Sequence, residues 1–458
     1  MMPLDGRRVL VMGLGLFGGG VGAVRFLCRE GARVTVTDLR PAEALRESLR
    51  ALETLPVVYR LGGHEAADFR AADLVVANPG VPRSSPFLKV AGKRGIPVTT
   101  EICLFAERCK APVVGITGSS GKTTTTALVG EMMRRKAPRT MVGGNIGGSL
   151  LDRLEETTAD THVVLELSSF QLDRLGDQKW SPQTAAITNF APNHLDIHGS
   201  LEAYKRAKRQ IIAHQGDGDV EVLNGDDPEV RQWSGNGRRV VFGMQPAPGC
   251  DVYLDGCHIR HRIGESEKTI CQANALALPG RHNLSNALAA CAAALTCGVN
   301  EADIAAVLAS FKGVPHRLER VAEIRGVTYF NDSIATSPDR TQVALSALPP
   351  GVVLIAGGYD KGLAYGALGR QIGRRVSHLV LTGQTADAIA ESVPAGSPTR
   401  VLRAGSLDDA VSEAARRAAP GGTVLFSPAS ASYDCFRNFT ERGERFRQLV
   451  LNKRSCDG

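Results

Sequence analysis

The sequence predicts an α/β protein of three domains, each built on a doubly wound, mostly parallel sheet. Three observations carry that expectation. Short apolar runs recur along the 458 residues and end in glycine-rich or polar turns. Helical patterns separate these runs, and such alternation produces parallel sheets. Two of the turns, at residues 13–18 and 118–121, carry the glycines that let backbone amides approach a phosphate. A break at Lys110-Ala111-Pro112 and the stretch KGVPHRLER divide the chain into 1–109, 110–313 and 314–458.

The first segment opens with RRVLVMGLGLFGGG, an apolar strand running into Gly13-x-Gly15-x-x-Gly18. A helix follows, then the strand ARVTVTD, ending at Asp38. This is a Rossmann-like βαβ unit, with Asp38 placed to hold a ribose hydroxyl. A nicotinamide cofactor is only one ligand such a unit accepts. LVVANPG (74–80) is a further buried strand ending in a turn where ligand loops sit.

The second segment begins with the strand VVGITG, a tight glycine loop and the helix KTTTTALVGEMMRR. Here Gly118 stands four residues before Lys122, two closer than in the common phosphate-binding loop. This is still a P-loop ATPase-type arrangement. The amides of Gly118, Ser119, Ser120, Gly121 and Thr124 would cradle phosphates, Lys122 would neutralise the β and γ groups, and Thr123 would offer its hydroxyl to Mg²⁺. In LELSSFQL, Glu166 ends an apolar strand, as a Mg²⁺ ligand would. HVVLELSS, AAITNF and VEVLN are strands; LEAYKRAKRQIIA and the alanine-rich NLSNALAACAAALTCG are helices. Between them lies a cluster of His194, Asp196 and His198.

The third segment alternates the strands VTYFND, VVLIAGG, HLVLTG and TVLFSPAS with helices, a second Rossmann-like sheet. The basic stretch RNFTERGERFRQLVLNKR is expected to be the solvated face of a last helix.

Composition narrows the function. A net charge of +7 over this length suits phosphorylated or carboxylated small molecules, without the dense basic stripe of a nucleic-acid binder. No run of about 18 apolar residues occurs, so no membrane-inserted helix is expected. The start lacks the pattern of a signal peptide, and the ten cysteines include no C-x-x-C pair. Free thiols in a reducing cytoplasm follow.

Taken together, TGSSGKTT, LELSSFQL and N-H-L-D-x-H-G followed by Y-K-R-A-K resemble the ATP-dependent Mur ligases, which extend the peptide of the bacterial cell-wall precursor. GGNIG (143–147), GRHNLSNALAA (280–290), PHRLE (315–319), NDSIATSP (331–338), AGGYDKG (356–362) and SPASASYDCFRNFTERG (427–443) agree, in order along the whole chain. Within the family, the first domain and the C-terminal motif are most similar to the members that join D-glutamate to UDP-N-acetylmuramoyl-L-alanine. Folylpolyglutamate synthetases share the ATP loop but lack this first domain.

The resemblance implies ATP-driven ligation through an acyl phosphate, two Mg²⁺ ions and a monomeric cytoplasmic enzyme. It implies Thr123 and Glu166 at the ATP-side metal and His194 at the second. It also implies that Lys208, with Lys205 as the less favoured neighbour, is carbamylated by CO₂ into an anionic metal ligand. Asn283 or Asn286, Arg317 and Asp332 would hold the base and ribose of ATP. Gly15, Leu16, Phe17, Asp38 and Arg40 would grip the UDP portion, with Asn145 and Gln171 on the sugar and alanine. Thr336, Lys361, Ser432 and Phe439 would face the incoming glutamate. One position departs from the pattern: Ile334 stands where relatives carry a lysine for the amino-acid carboxylate, and Arg340 and Arg437 are the candidates to replace it. A nicotinamide oxidoreductase would leave the ATP loop unexplained, and a non-catalytic nucleotide binder would not need Lys122, Glu166, His194 and Lys208 together. The same ligase acting on L-glutamate or another amino acid is the alternative within the family.

Overall fold

The computed structural model describes residues 3–15, 18–146, 148–193, 195–263, 266–278 and 280–455. The chain forms two compact units, Met1–Phe311 and Lys312–Gly458, which are described separately.

The first unit holds two sheets. Strands Arg8–Met12 (β1), Arg33–Asp38 (β2), Val57–Leu61 (β3), Leu74–Ala77 (β4) and Val98–Thr99 (β5) lie in the order β3-β2-β1-β4-β5, all parallel. The strand order reverses between β1 and β4, so the turns after them flank a crevice at the carboxyl edge.

The second sheet contains Val113–Thr117 (β6), Thr140–Gly144 (β7), His162–Glu166 (β8), Thr184–Ile187 (β9), Val220–Asn224 (β10), Arg238–Gly243 (β11), Val252–Asp255 (β12), His258–His261 (β13) and Lys268–Gln272 (β14). Their order is β14-β13-β12-β11-β10-β9-β6-β8-β7. It is parallel from β7 to β12 and closes with an antiparallel meander. The central strands β6, β8, β9 and β10 are buried at nearly every position, which is why they appear in the sequence as continuous apolar runs. One apolar cluster, including Phe26, Phe105, Leu151 and Leu165, joins the first sheet to the second.

The second unit has one sheet of Glu319–Ile324 (β15), Val327–Asn331 (β16), Val352–Ala356 (β17), Val376–Leu381 (β18), Arg400–Arg403 (β19) and Thr423–Phe426 (β20), ordered β15-β16-β20-β17-β18-β19. Only the edge strand β15 is antiparallel. The last helix, Phe439–Ser455, leaves Arg445 exposed as expected of a solvated basic face, but Arg442 departs from that expectation. Phe446 and Val450 are fully buried and Arg442 is only 3% exposed, because Arg442 lies on the same helix face as those apolar residues.

Candidate active site

The phosphate loop leaves β6 at the centre of its sheet and enters the helix Lys122–Lys136. Gly121 caps this helix with φ 79°, a conformation that strains other residues, and offers no side-chain hydrogen bond to the first turn. A Cβ on Gly121 would also strike Asn286 Oδ1, so the loop is pressed against the start of the helix Arg281–Thr296. Neighbouring strand ends hold the loop in shape. Ser119 N donates to Asn189 O (3.0 Å), Ser120 N donates to Asn189 Oδ1 (2.9 Å), and Thr188 Oγ1 donates to Ser120 O (2.6 Å). Lys122 Nζ folds back onto Gly118 O (2.9 Å) and Ser119 O (3.2 Å).

Beside the loop sit an acid and a second lysine, both out of water. Glu166, at the end of β8, is 2% exposed. Its Oε1 accepts from Asn145 Nδ2 (2.9 Å), while its buried Oε2 has no hydrogen-bond partner. Lys208, on the helix Leu201–Ala213, is 1% exposed and donates to Gly118 O (2.8 Å) and Thr117 Oγ1 (3.3 Å). Burial first, and Lys122 second, push its pKa well below the ordinary lysine range, with Glu166 opposing. Lys205, one turn away, is paired with Glu229.

His194 and the side chain of Asp196 lie outside the described residues. His198 Nε2 meets Ser169 Oγ at 2.9 Å, and its ring stacks on Phe170. Gln171 completes a capping box with Ser168, its Oε1 accepting from Ser168 N (3.0 Å).

At the first sheet's crevice, Asp38 is 3% exposed and shapes the glycine turn: its oxygens accept from Gly15 N (3.2 Å) and Arg40 N (2.9 Å). Leu16 and Phe17 fall outside the described residues. A cavity of about 700 Å³ opens beside the start of the helix Arg281–Thr296, lined in part by Asn224, Asp226, Gln245, Arg281 and His282. Asn283 is on that helix's first turn and Asn286 on its second, and Asn286 meets the phosphate loop, so one helix end borders both the cavity and the loop. Asp226, Gln245 and His282 escaped the sequence reading, since they become neighbours only through the strand order.

In the second unit, Arg317 stands exposed between two residues in left-handed backbone, His316 (φ 62°) and Leu318 (φ 43°). Such strain in non-glycine residues gathers at functional turns. Leu318 N donates to Asp332 Oδ1 (3.1 Å), which brings the Arg317 turn to Asp332. Burial raises the Asp332 carboxyl to about 6. Thr336, Lys361 and Ser432 are on the loops after β16, β17 and β20, and Phe439 starts the last helix. Tyr359 N donates to Ala431 O (3.0 Å) and Ser333 Oγ to Phe439 O (2.8 Å), so these loops are stitched together. Arg340 Nη1 donates to Ile334 O (3.1 Å), whereas Arg437 is paired with Glu441.

Three domain families match in order: "Mur ligase MurD-like, N-terminal domain" at residues 7–100, "Mur ligase middle domain" at 116–294 and "Mur ligase, glutamate ligase domain" at 316–430. The chain is 44% identical to a UDP-N-acetylmuramoylalanine–D-glutamate ligase of Roseiflexus sp. strain RS-1, over 98% of this chain and 99% of that one. It is 41% identical to the protein of the same name from Symbiobacterium thermophilum, over 97% of each. Among solved structures, the UDP-N-acetylmuramate-alanine ligase of Thermotoga maritima shares the fold with a TM-score of 0.56 and 21% identity, over 98% of this chain and 100% of that one. With relatives above 40% identity along nearly its whole length and the three family domains matched in order, this chain belongs to the Mur ligase family.

Proposed function

We propose that this chain joins D-glutamate to UDP-N-acetylmuramoyl-L-alanine with conversion of ATP to ADP and phosphate. The observation that carries this reading is the near full-length relation to D-glutamate ligases. The γ-phosphoryl group passes to the terminal carboxylate of the alanine, breaking its bond to ADP. The amine of glutamate then attacks the acyl carbon, loses a proton, and phosphate leaves. A carboxylate is a poor electrophile, and this mixed anhydride makes it reactive.

The chain's own groups suit the first step. Lys122 and the loop amides would hold the phosphates as two anions are brought together, a charge problem that fixed donors ease. Members of the family use ATP and Mg²⁺, and the ions would neutralise phosphate oxygens. Glu166 fits as a ligand because its buried Oε2 has no other partner, and Thr123 fits by its buried place at the helix start. Within this reading Lys208 is carbamylated: its depressed pKa favours a neutral amine, which adds to CO₂, releases a proton and becomes an anion. That carbamate, with His194, would serve the second ion.

The remaining assignments belong to the same reading: UDP at Gly15, Leu16, Phe17, Asp38 and Arg40, and sugar and alanine at Asn145 and Gln171. ATP is held at residues 118–124, Asn283, Asn286, Arg317 and Asp332, and glutamate at Thr336, Lys361, Ser432 and Phe439. Arg340, held at the carbonyl of Ile334, supplies the cation that position 334 lacks. The three-domain division at 109/110 and 313/314 is supported by the family spans and by the break at Phe311/Lys312. We place the enzyme in the cytoplasm as a monomer; no described helix is long and apolar enough to cross a membrane.

Phosphate release with UDP-N-acetylmuramoyl-L-alanine and a panel of D- and L-amino acids tests the reading. D-glutamate should be preferred, and Arg340→Ala should raise its KM. Preference for L-glutamate or a neutral amino acid would leave the ligase chemistry and remove the acceptor.

A further inference from the structure

We propose that Arg442 is a positioning residue that sets the amino-acid pocket by tying its loops to one buried guanidinium. The proposal rests on the reading that the acceptor lies against the loops carrying Thr336, Lys361, Ser432 and Phe439.

Arg442 is 3% exposed and no carboxylate is hydrogen-bonded to it among the described residues. A buried cation without an ion partner is costly, so its donors must find other acceptors. Nε donates to Ser333 Oγ (3.1 Å), Nη2 to Ser333 O and Ser430 O (both 3.0 Å), and Nη1 to Ala431 O (2.8 Å). The planar fork therefore bridges the loop after β16 to the loop after β20.

Two short bridges extend its reach. Ser333 Oγ donates onward to Phe439 O, and Ala431 O also accepts from Tyr359 N on the loop that carries Lys361. Behind these, Ser430 Oγ meets Thr385 Oγ1 (2.8 Å) and Tyr365 OH (3.1 Å), and Gly358 N donates to Thr385 Oγ1 (3.1 Å). Ala429 is held in left-handed backbone at φ 58°, a strain that persists only where surroundings over-determine it. Ser432 adjoins Ala431, Thr336 is three residues past Ser333, and Lys361 two past Tyr359. A lysine at 442 would keep the charge but could not span these acceptors.

The test is steady-state phosphate release by the full-length chain, varying glutamate, ATP and UDP-substrate in turn, for Arg442→Lys, Ser333→Ala and Lys361→Ala. Arg442→Lys should raise the KM for glutamate by roughly tenfold or more, leaving the KM for ATP and UDP-substrate within about threefold. Ser333→Ala, which keeps the guanidinium, should move the same constant by a smaller factor. Lys361→Ala should raise it independently. If Lys361→Ala raises the glutamate KM and Arg442→Lys does not, the proposal fails and the acceptor site stands. Uniform changes in every constant would reduce Arg442 to a fold-stabilising role and overturn the proposal. If neither variant moves the glutamate KM, the acceptor site itself is wrong and the proposal falls with it. Should Arg442→Lys fail to fold, an unchanged glutamate KM in Ser333→Ala overturns the proposal.

Discussion

Lys208 and Arg442 are both cationic side chains folded out of water among carbonyls and hydroxyls, without a hydrogen-bonded carboxylate among the described residues. Burial acts on them unequally. It drives the lysine far below its usual pKa, whereas the arginine falls only to about 10 and stays charged at neutral pH. A lysine can answer desolvation by releasing its proton, and the resulting amine is a nucleophile. An arginine cannot, so it must be satisfied by acceptors, and it organises whatever supplies them. The same physical stress thus prepares one site for chemistry and the other for shape.

The largest expected effect leaves this pair and removes their half-buried counterpart. Lys122→Ala should lower kcat by about 10³-fold or more with little change in Tm, because it removes charge stabilisation made in the transition state. Near-normal phosphate release would exclude the loop as the reaction centre. Next, Lys208→Ala should lose about 10²-fold or more and recover in part with added formate or acetate. Mass spectrometry of active enzyme showing only unmodified Lys208 would break the chemical half of the comparison.

Stability separates the two cations further. Arg442→Met takes the donor from the buried carbonyls of Ser333 and Ser430, while Ala431 O keeps Tyr359 N, and should cost about 3 kcal/mol, seen as a marked loss of Tm. Lys208→Met should cost far less, because the Gly118 carbonyl keeps Lys122 as its donor. Equal losses would show that both residues serve only the fold.

Asp332 gives a pH-dependent version of the same stress with the opposite charge. Its folded pKa of about 6 lies above the unfolded value of 3.8, so the folded chain holds a proton in that window. The associated stability is complete below about pH 4 and is lost as pH rises through 6. Asp332→Asn should therefore gain Tm relative to the parent between pH 5 and pH 8, by at most about 3 kcal/mol. A pH-independent difference would show that the carboxyl is not strained. The smallest effect is Ala429→Gly, which should relieve left-handed strain of about 1 kcal/mol.

Much of this was legible in the sequence where burial was two-sided. β6, β8, β9, β10 and β17 are apolar runs ended by turns, and the helix Leu201–Ala213 has the bounds its pattern predicts. The edge strands β3, β14 and β19, with alternating or polar residues, carried no comparable signal. Lys208 was found only through resemblance, since a lysine on an amphipathic helix gives no sign of its depth. Arg442 did leave a trace: it interrupts the stripe Phe439, Phe446, Val450 at helical spacing, and its charge masked the pattern.

Lys122 rests on two carbonyls of its own loop, and this has a consequence for timing. An ammonium already satisfied must let go before it can meet a phosphate, so nucleotide capture becomes an exchange of partners with a waiting step. In rapid mixing, the observed binding rate should level off as ATP rises, and Lys122→Ala, which has nothing to release, should remove the plateau. A rate that climbs linearly with ATP in the parent would mean that the lysine is already free when the nucleotide arrives.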